Sequence, residues 1–286
     1  MQPALLAEDL CYSYGSVRAV DGISFHVDPG EILGFLGPNG AGKSTTIKML
    51  TGQLEPDSGK VTLLGKSMSR DDPELQARIG VCFEEKNLYI NMTARENLDF
   101  FAGLFGIRHP DTLNLLEKVG LADRADERVS RYSKGLKQRL MMARALINAP
   151  DILFLDEPTD GLDPVSSRTL RGIIREQARR GAAVLLTTHD MWEADELSDR
   201  VAFISEGSIH AIDTPDALKI RYGSRSVRIR LSTAGGTREE VVPLGSTEAA
   251  ERISLLAASP DLMTIHTEEA TLEAVFIEIT GKELGI

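Results

Sequence analysis

The amino-acid sequence predicts an α/β fold in which a largely parallel sheet is covered by helices on both faces. Short apolar runs such as "EILGFLG" (31–37), "ILFLDE" (152–157) and "AAVLLTTHD" (182–190) have the length and composition of buried strands. A helical pattern over 167–180 separates the last two runs. Apolar runs that alternate with helices indicate a parallel sheet with helices packed on each side.

The first half of the chain adds two elements of other kinds. "GISFHV" (22–27) alternates apolar and other residues, as a half-buried strand does, and "STTIKMLTG" (44–52) predicts a helix that ends at Gly52. From about residue 88 to 149 the pattern is helical, with Thr93 and Glu96 at capping-box spacing. We expect a helical subdomain over this range.

The pattern of predicted strands and helices changes after residue 222. Two strand patterns (226–232 and 239–244) are followed by a helix (246–259), a strand (261–267) and a closing helix (271–281). The sequence therefore predicts a large domain over 1–222 and a small α+β domain over 223–286.

Composition narrows the class of protein. The 286 residues are 42% hydrophobic and 26% charged, with 43 acidic against 32 basic side chains and a net charge of −11. Because duplex binding draws on a clustered basic face, we expect no nucleic-acid partner. Cys11 and Cys82 form no disulfide or zinc pattern, which fits a reducing compartment. We expect no signal peptide, and the apolar runs are shorter than the roughly 20 residues that span a bilayer.

A phosphate-binding loop is the most specific motif in the chain. "GPNGAGKST" matches the pattern of Gly, four residues and Gly-Lys-Ser, between a predicted strand and a predicted helix. The loop residues are Gly37, Pro38, Asn39, Gly40, Ala41, Gly42, Lys43, Ser44 and Thr45. Backbone amides would surround phosphate oxygens, Lys43 would reach the outer phosphates and Ser44 would bind Mg²⁺. The alternative is a glycine-rich strand-to-helix turn.

Acidic and imidazole side chains follow two other buried strands. Asp156 and Glu157 end one strand and His189 follows the next, so all three should reach the edge of the sheet where α/β proteins bind ligands. Asp156 could hold Mg²⁺, Glu157 could polarise an attacking water, and His189 could contact the terminal phosphate or that water. The alternatives are a solvated pair of acids and a structural histidine.

These motifs, in this order, resemble the nucleotide-binding subunit of an ATP-binding-cassette (ABC) transporter. The resemblance covers Leu5 to about Ile212 and implies a mixed sheet with an antiparallel edge, a helical subdomain, ATP and Mg²⁺ as cofactors, and ATP hydrolysis. "DGLD" (160–163) is similar to the D-loop, which places Asp163 near nucleotide. Tyr14 resembles the aromatic residue that stacks on adenine, with Tyr12 the weaker candidate and an ordinary strand aromatic the alternative.

A second phosphate-binding segment, "YSKGLKQ" (132–138), resembles the family's signature motif. In that family two cassettes pack head to tail, and each signature contacts ATP held by the other cassette. Ser133 and Gly135 match the motif, whereas Lys134 replaces its first glycine and Leu136 its final glutamine. The alternative is a plain serine-capped helix.

Glu84 stands where the family has a glutamine that binds Mg²⁺ and couples the cassette to the membrane subunit. A glutamate keeps a metal-binding oxygen but adds negative charge near phosphates. We expect Glu84 to lie beside Mg²⁺ and Glu85 to be a solvated neighbour.

The closing segment "TLEAVFIEITGKEL" is similar to that of drug-exporter cassettes. The resemblance therefore implies the ATPase subunit of an exporter, acting as a dimer with a copy or a homologue, on the cytoplasmic face of the membrane beneath a separate permease. The alternatives are an importer or lipid-exporter cassette, a soluble regulator such as the ribosome-acting tandem cassettes, and a phosphate-loop module that binds nucleotide as a switch.

Overall fold

A computed structural model of the chain describes residues 2–68, 72–83, 87–223, 226–233, 235–268 and 270–281. It contains two compact units, the first extending to Ile212 and the second beginning at Asp213. The sequence predicted the boundary after residue 222. The helix over Pro215–Tyr222 accounts for the difference, since it packs against a helix near the end of the chain, within the second unit.

The described strands are β1 (Leu5–Tyr14), β2 (Val17–Val27), β3 (Ile32–Leu36), β4 (Ser58–Leu63), β5 (Lys66–Ser67), β6 (Ile79–Cys82), β7 (Ile152–Asp156), β8 (Ala183–Thr188), β9 (Arg200–Ser205), β10 (Ser208–Asp213), β11 (Ser226–Thr233), β12 (Gly236–Pro243) and β13 (Leu262–Glu268). The described helices are α1 (Lys43–Leu50), α2 (Pro73–Gln76), α3 (Ala94–Leu104), α4 (Thr112–Lys118), α5 (Lys134–Ala145), α6 (Pro164–Arg179), α7 (Met191–Leu197), α8 (Pro215–Tyr222), α9 (Thr247–Ala257) and α10 (Leu272–Thr280).

A six-stranded sheet in the order β10-β9-β3-β8-β7-β6 forms the centre of the first unit. Strand β3 pairs in parallel with β8 and β9, and β7 pairs in parallel with β8 and β6. Side chains alternate between two cores: Leu153 and Leu155 pack on one side of the sheet, and Ile152 and Phe154 pack on the other. The prediction of an α/β fold with a covered parallel sheet is therefore confirmed.

An antiparallel sheet in the order β2-β1-β4-β5 shares one of these cores. The ring centroids of Phe25 on β2 and Phe35 on β3 lie 4.7 Å apart, so aromatic packing joins the two sheets. The core on the other side of the parallel sheet contains residues from α3, α5 and α6. Helix α3 begins at the predicted capping box, in which Thr93 and Glu96 each accept the other's backbone N–H.

The second unit contains the antiparallel sheet β12-β11-β13. Its small core is formed by Val227, Ile229, Val242, Ala249 and Leu256, which places α9 on one face of the sheet. All five elements predicted after residue 222 are present. Among the described residues, no helix is both long enough and apolar enough to cross a bilayer.

Candidate functional site

The carboxyl ends of the adjacent strands β3, β8 and β7 bring the predicted site residues together. In the ladder of the parallel sheet, Leu36 lies opposite Thr188, and Thr187 lies opposite Asp156. The phosphate loop, His189 and Glu157 therefore start from neighbouring positions on one edge of the sheet. Side chains that are far apart in the sequence can act on one ligand there.

The phosphate loop joins β3 to α1 and curls around its own lysine. The ammonium of Lys43 donates to the carbonyl oxygen of Gly37 at 2.6 Å, and the Lys43 side chain is buried. Gly40 and Gly42 have φ values of 80° and 105°, a left-handed conformation that glycine adopts without strain. The fold of the loop thus explains why glycines stand at these two positions.

A cavity of about 750 Å³ opens beside this loop. Its walls include every predicted loop residue except Gly37, which lies at the base of the loop. The other lining residues come from the antiparallel sheet, the strand ends and the turn between β9 and β10: Tyr14, Val17, Arg18, Ala19, Glu157, Asp160, His189, Glu206 and Gly207. The volume is in the range of small-molecule sites.

The turn at Gly207 supports the phosphate loop from behind. The backbone N–H of Gly207 donates to Ala41 O at 3.0 Å, and that of Asp21 on β2 donates to Gly207 O at 2.8 Å. A side-chain carbon added at Gly42 would lie 2.5 Å from Ala19 O, and one added at Gly207 would lie 2.9 Å from the same atom. The loop is therefore held by backbone contacts with a hairpin turn and with β2.

Asp156 is buried and bonded to two hydroxyl groups. Its Oδ1 accepts from Ser44 Oγ at 3.1 Å and from Thr187 Oγ1 at 2.6 Å. A hydroxyl and a carboxylate oxygen side by side behind the phosphate loop form a donor set that suits Mg²⁺, which prefers oxygen ligands. Ser44 and Asp156 therefore fit the predicted metal site, whereas Glu84 lies in 84–86, outside the described residues.

Glu157 stands between the lysine and the histidine. Its Oε1 lies 3.3 Å from Lys43 Nζ, and its Oε2 lies 3.0 Å from His189 Nδ1. A carboxylate only accepts hydrogen bonds, so Nδ1 carries the proton in this contact. The backbone of Glu157 has a left-handed φ of 47°, held by donation of its N–H to Thr187 O and Oγ1, both at 3.1 Å. Strain of this kind is concentrated at functional sites.

Tyr14 lies at the rim of the cavity with 48% of its surface exposed. Its ring contacts Tyr12 edge to face, with centroids 4.9 Å apart, and Tyr12 is half-buried against the core. Of the two tyrosines, Tyr14 lines the cavity, as expected for a residue that stacks on a base.

The predicted signature segment begins helix α5. Ser133 is the N-cap, and its hydroxyl accepts from Leu136 N at 3.3 Å. A side-chain carbon at Gly135 would lie 3.7 Å from Leu162, so the segment packs against the D-loop of its own chain. Lys134 forms an ion pair of 2.9 Å with Asp160 in that loop. Neither Ser133 nor Gly135 lines the cavity beside the phosphate loop.

The Asp163 carboxylate forms its hydrogen bonds at the start of helix α6 in its own chain. Its carboxylate caps α6 by accepting from the N–H groups of Val165 and Ser166 and from the Ser166 hydroxyl. Donation from Ser166 is the main reason why the pKa of Asp163 is lowered. Asp163 does not line the cavity either, so within one chain its role is to start α6.

Three features of the site escaped the sequence analysis: the Thr187 hydroxyl, the Gly207 turn and a hydrogen bond of 2.5 Å from Thr159 Oγ1 to Glu193 Oε1. A threonine pair at the end of an apolar strand was a signal for Thr187. The contact of the Gly207 turn with the phosphate loop and the bond between Thr159 and Glu193 each join segments that are far apart in the sequence, and no local pattern indicates either contact.

Known proteins have sequences similar to that of this chain. Residues 20–160 match the family model described as ABC transporter. Over 96% of its length the chain is 46% identical to a fluoroquinolones export ATP-binding protein of Mycobacterium tuberculosis, covering 91% of that protein. Over 95% of its length it is 39% identical to the Nod factor export ATP-binding protein I of Paraburkholderia xenovorans, covering 95% of that protein.

A solved structure shares the fold of most of the chain. An ATP-binding cassette in a dimeric post-hydrolysis state, bound to ADP and Pi, superposes with a TM-score of 0.67 at 25% identity. The superposition covers 73% of this chain and 98% of that one. The predicted cassette fold is therefore confirmed, and the identity and coverage together show that the chain belongs to the ABC transporter family as one of its ATP-binding, ATP-hydrolysing subunits.

Proposed function

We propose that this chain powers an exporter of small molecules by hydrolysing ATP between two cassettes. The observation that carries the proposal is the convergence of Lys43, Glu157 and His189 on the cavity at the phosphate loop, while Ser133 lies outside that cavity. Because Ser133 and Gly135 do not line the cavity of their own chain, a second cassette would supply the signature residues that the family's site uses. Two relatives are named as ATP-binding proteins for the export of fluoroquinolones and of Nod factor. These names support export as the direction of transport.

Each side chain has a distinct role in this proposal. Lys43 and the loop amides bind the β- and γ-phosphates of ATP, and Tyr14 stacks on adenine. Ser44 and Asp156, with Glu84, hold Mg²⁺, which neutralises phosphate charge when it is bound. Glu157 accepts a proton from the attacking water, and His189 holds the Glu157 carboxylate through Nδ1.

The second cassette completes the site with its Ser133 hydroxyl and Gly135 amide at the start of α5. The positive end of the helix dipole and two hydrogen-bond donors favour an anion there. ATP would thus close the dimer, and hydrolysis with phosphate release would open it. Cassettes of this family work as dimers with separate membrane subunits, and we place this one on the inner face of the membrane beneath its permease.

Mixing two inactive variants tests the shared site. Lys43→Ala removes the phosphate grip of its own chain, and Ser133→Arg blocks the signature that serves the neighbour. In a mixed dimer both lesions fall in one composite site, and the other site is intact. We therefore expect the mixture, supplied with α-labelled ATP and vanadate, to trap labelled ADP although neither variant does so alone.

The matched control is Ser232→Arg, which introduces the same side chain at an exposed serine of the second unit. This variant should trap labelled ADP by itself. Verified mixed dimers of Lys43→Ala and Ser133→Arg that trap no labelled ADP would refute the head-to-tail arrangement for this chain.

A further inference from the structure

Two side-chain contacts join the segment 157–159 to the segment 189–193. The first contact is the pair of Glu157 and His189, whose side chains lie 3.0 Å apart. The second lies further along both segments, where the Thr159 hydroxyl donates to the Glu193 carboxylate at 2.5 Å. The two segments are therefore held together at two points, one of which is the pair of side chains assigned to catalysis, Glu157 and His189.

Glu193 is a charged residue type at a buried position, which is unusual. It is 1% exposed, and burial is the main reason why its pKa is raised. Asp190 also favours the protonated form, whereas the hydroxyls of Thr159 and Thr188 and the more distant Arg171 favour the carboxylate. Among the described residues, no donor of normal geometry reaches its Oε2. An apolar side chain would fill this place at a lower desolvation cost.

The geometry of α7 explains how this carboxylate could act on the site. Asp190 caps the helix by accepting from the N–H groups of Trp192 and Glu193, so the direction of the first turn is set at Asp190. His189 immediately precedes that cap. A bond from Glu193 to Thr159 therefore fixes the start of α7, and with it the histidine, relative to the segment that follows Glu157.

We infer that Glu193 is a positioning residue for ATP hydrolysis: its hydrogen bond with Thr159 fixes the position of His189 relative to Glu157. The inference rests on the proposed roles of those two residues. Glu193 itself does not line the cavity beside the phosphate loop, so it acts through the two segments and not on the nucleotide.

Steady-state kinetics on the full-length protein test this inference. Thr159→Val removes the donor and keeps the shape of the side chain, and Glu193→Ala removes the acceptor. Each should lower kcat about 10- to 100-fold, the size expected when catalytic groups lose their alignment. KM for Mg-ATP should stay within about 3-fold, because the phosphate loop is intact. The double variant should be no slower than the slower single variant, since both changes break one bond.

Conservative variants separate positioning from simple support of the fold. Glu193→Gln keeps an oxygen that accepts from Thr159, and Thr159→Ser keeps the hydroxyl, so both should recover most of the lost kcat. Glu196→Gln is the matched control, because Glu196 lies on the same helix with an exposed side chain that pairs with Arg175 at 3.4 Å. This control should match the wild type in kcat and KM.

Three outcomes would overturn the inference: wild-type kcat in Thr159→Val, additive losses in the double variant, or no recovery with Glu193→Gln. If Glu193→Ala fails to fold in a thermal melt, Thr159→Val with Thr159→Ser still decides the question. Failure of the proposed function looks different. In that case Glu157→Gln and His189→Ala would hydrolyse ATP at the wild-type rate, whatever the Glu193 variants do.

Discussion

The Lys43 ammonium lies 3.3 Å from the Glu157 carboxylate, and neither side chain is more than 10% exposed. The lysine that is assigned to phosphate is therefore also the counter-ion of the residue assigned to the attacking water. A buried charge without a partner is costly, so this pair explains how a glutamate can stand beside a phosphate loop. An anionic phosphate at Lys43 would compete with Glu157 for the same ammonium.

Replacement of Glu157 by glutamine should separate binding from hydrolysis. The amide keeps the size of the side chain but does not accept a proton, so we expect kcat to fall about 10²- to 10⁴-fold. Mg-ATP should bind at least as tightly as in the wild type, because a negative charge near the phosphates is gone. Phosphate release and equilibrium dialysis measure the two effects.

The control for this experiment is Glu176→Gln, at a half-exposed position of α6 that pairs with Arg180 at 3.7 Å. It should leave both measurements unchanged. A Glu157→Gln variant with wild-type turnover would exclude Glu157 as the catalytic base.

Replacement of Thr187 by valine should weaken both the fold and the site. The side chain is fully buried, and its hydroxyl donates to Asp156 and accepts from the N–H of Glu157. Valine has nearly the same shape but leaves those partners short of a hydrogen bond, which costs about 1–3 kcal/mol. Urea titration should show this loss of stability, and Thr187→Ser should recover most of it. A fully stable Thr187→Val variant would contradict the prediction.

The stability difference between wild type and Glu193→Gln should depend on pH. Burial raises the pKa of Glu193 in the folded state, so its stabilising contribution is present below the unfolded pKa and is lost as pH rises through the folded pKa. The free energy of unfolding of the wild type, relative to Glu193→Gln, should therefore fall as pH rises and then level off. Urea titrations from pH 4 to pH 9 measure it. A difference that grows with pH would have the wrong sign.

The ion pair of Lys134 and Asp160 should contribute little to stability. The side chains are 55% and 40% exposed, and pairs of this kind contribute about 0.2–1 kcal/mol. A double-mutant cycle with Lys134→Met and Asp160→Asn should give a coupling energy in that range at low salt, and a smaller one at 0.5 M salt because charges are screened. A coupling energy that does not change with salt would show that the contact is not electrostatic.

Much of the site could be predicted because strands place residues by simple rules. Ser44 and Asp156 meet because Asp156 ends one buried parallel strand and Ser44 follows the loop after another, and the carboxyl ends of such strands share one edge of the sheet. The hydrogen bond between Thr159 and Glu193 could not be predicted, since it depends on the direction in which a loop and a short helix leave that edge.

The domain boundary escaped prediction for a related reason. Helix α8 is not separated from the cassette by a linker that the sequence could reveal. Its place in the second unit depends on packing against α10, a contact between residues that are far apart in the chain. Local patterns carry no information about such a partner.

The backbone contact among Gly42, Gly207 and Ala19 affects how a survey of all single substitutions would have to be interpreted. Gly207 follows the motif by more than 150 residues (Gly42 to Gly207), yet any side chain there would strike the same strand that limits Gly42. Both positions should reject every replacement to a similar degree. Intolerance at Gly42 would then measure how closely three segments of backbone approach each other, and could not be taken as a measure of contact with phosphate.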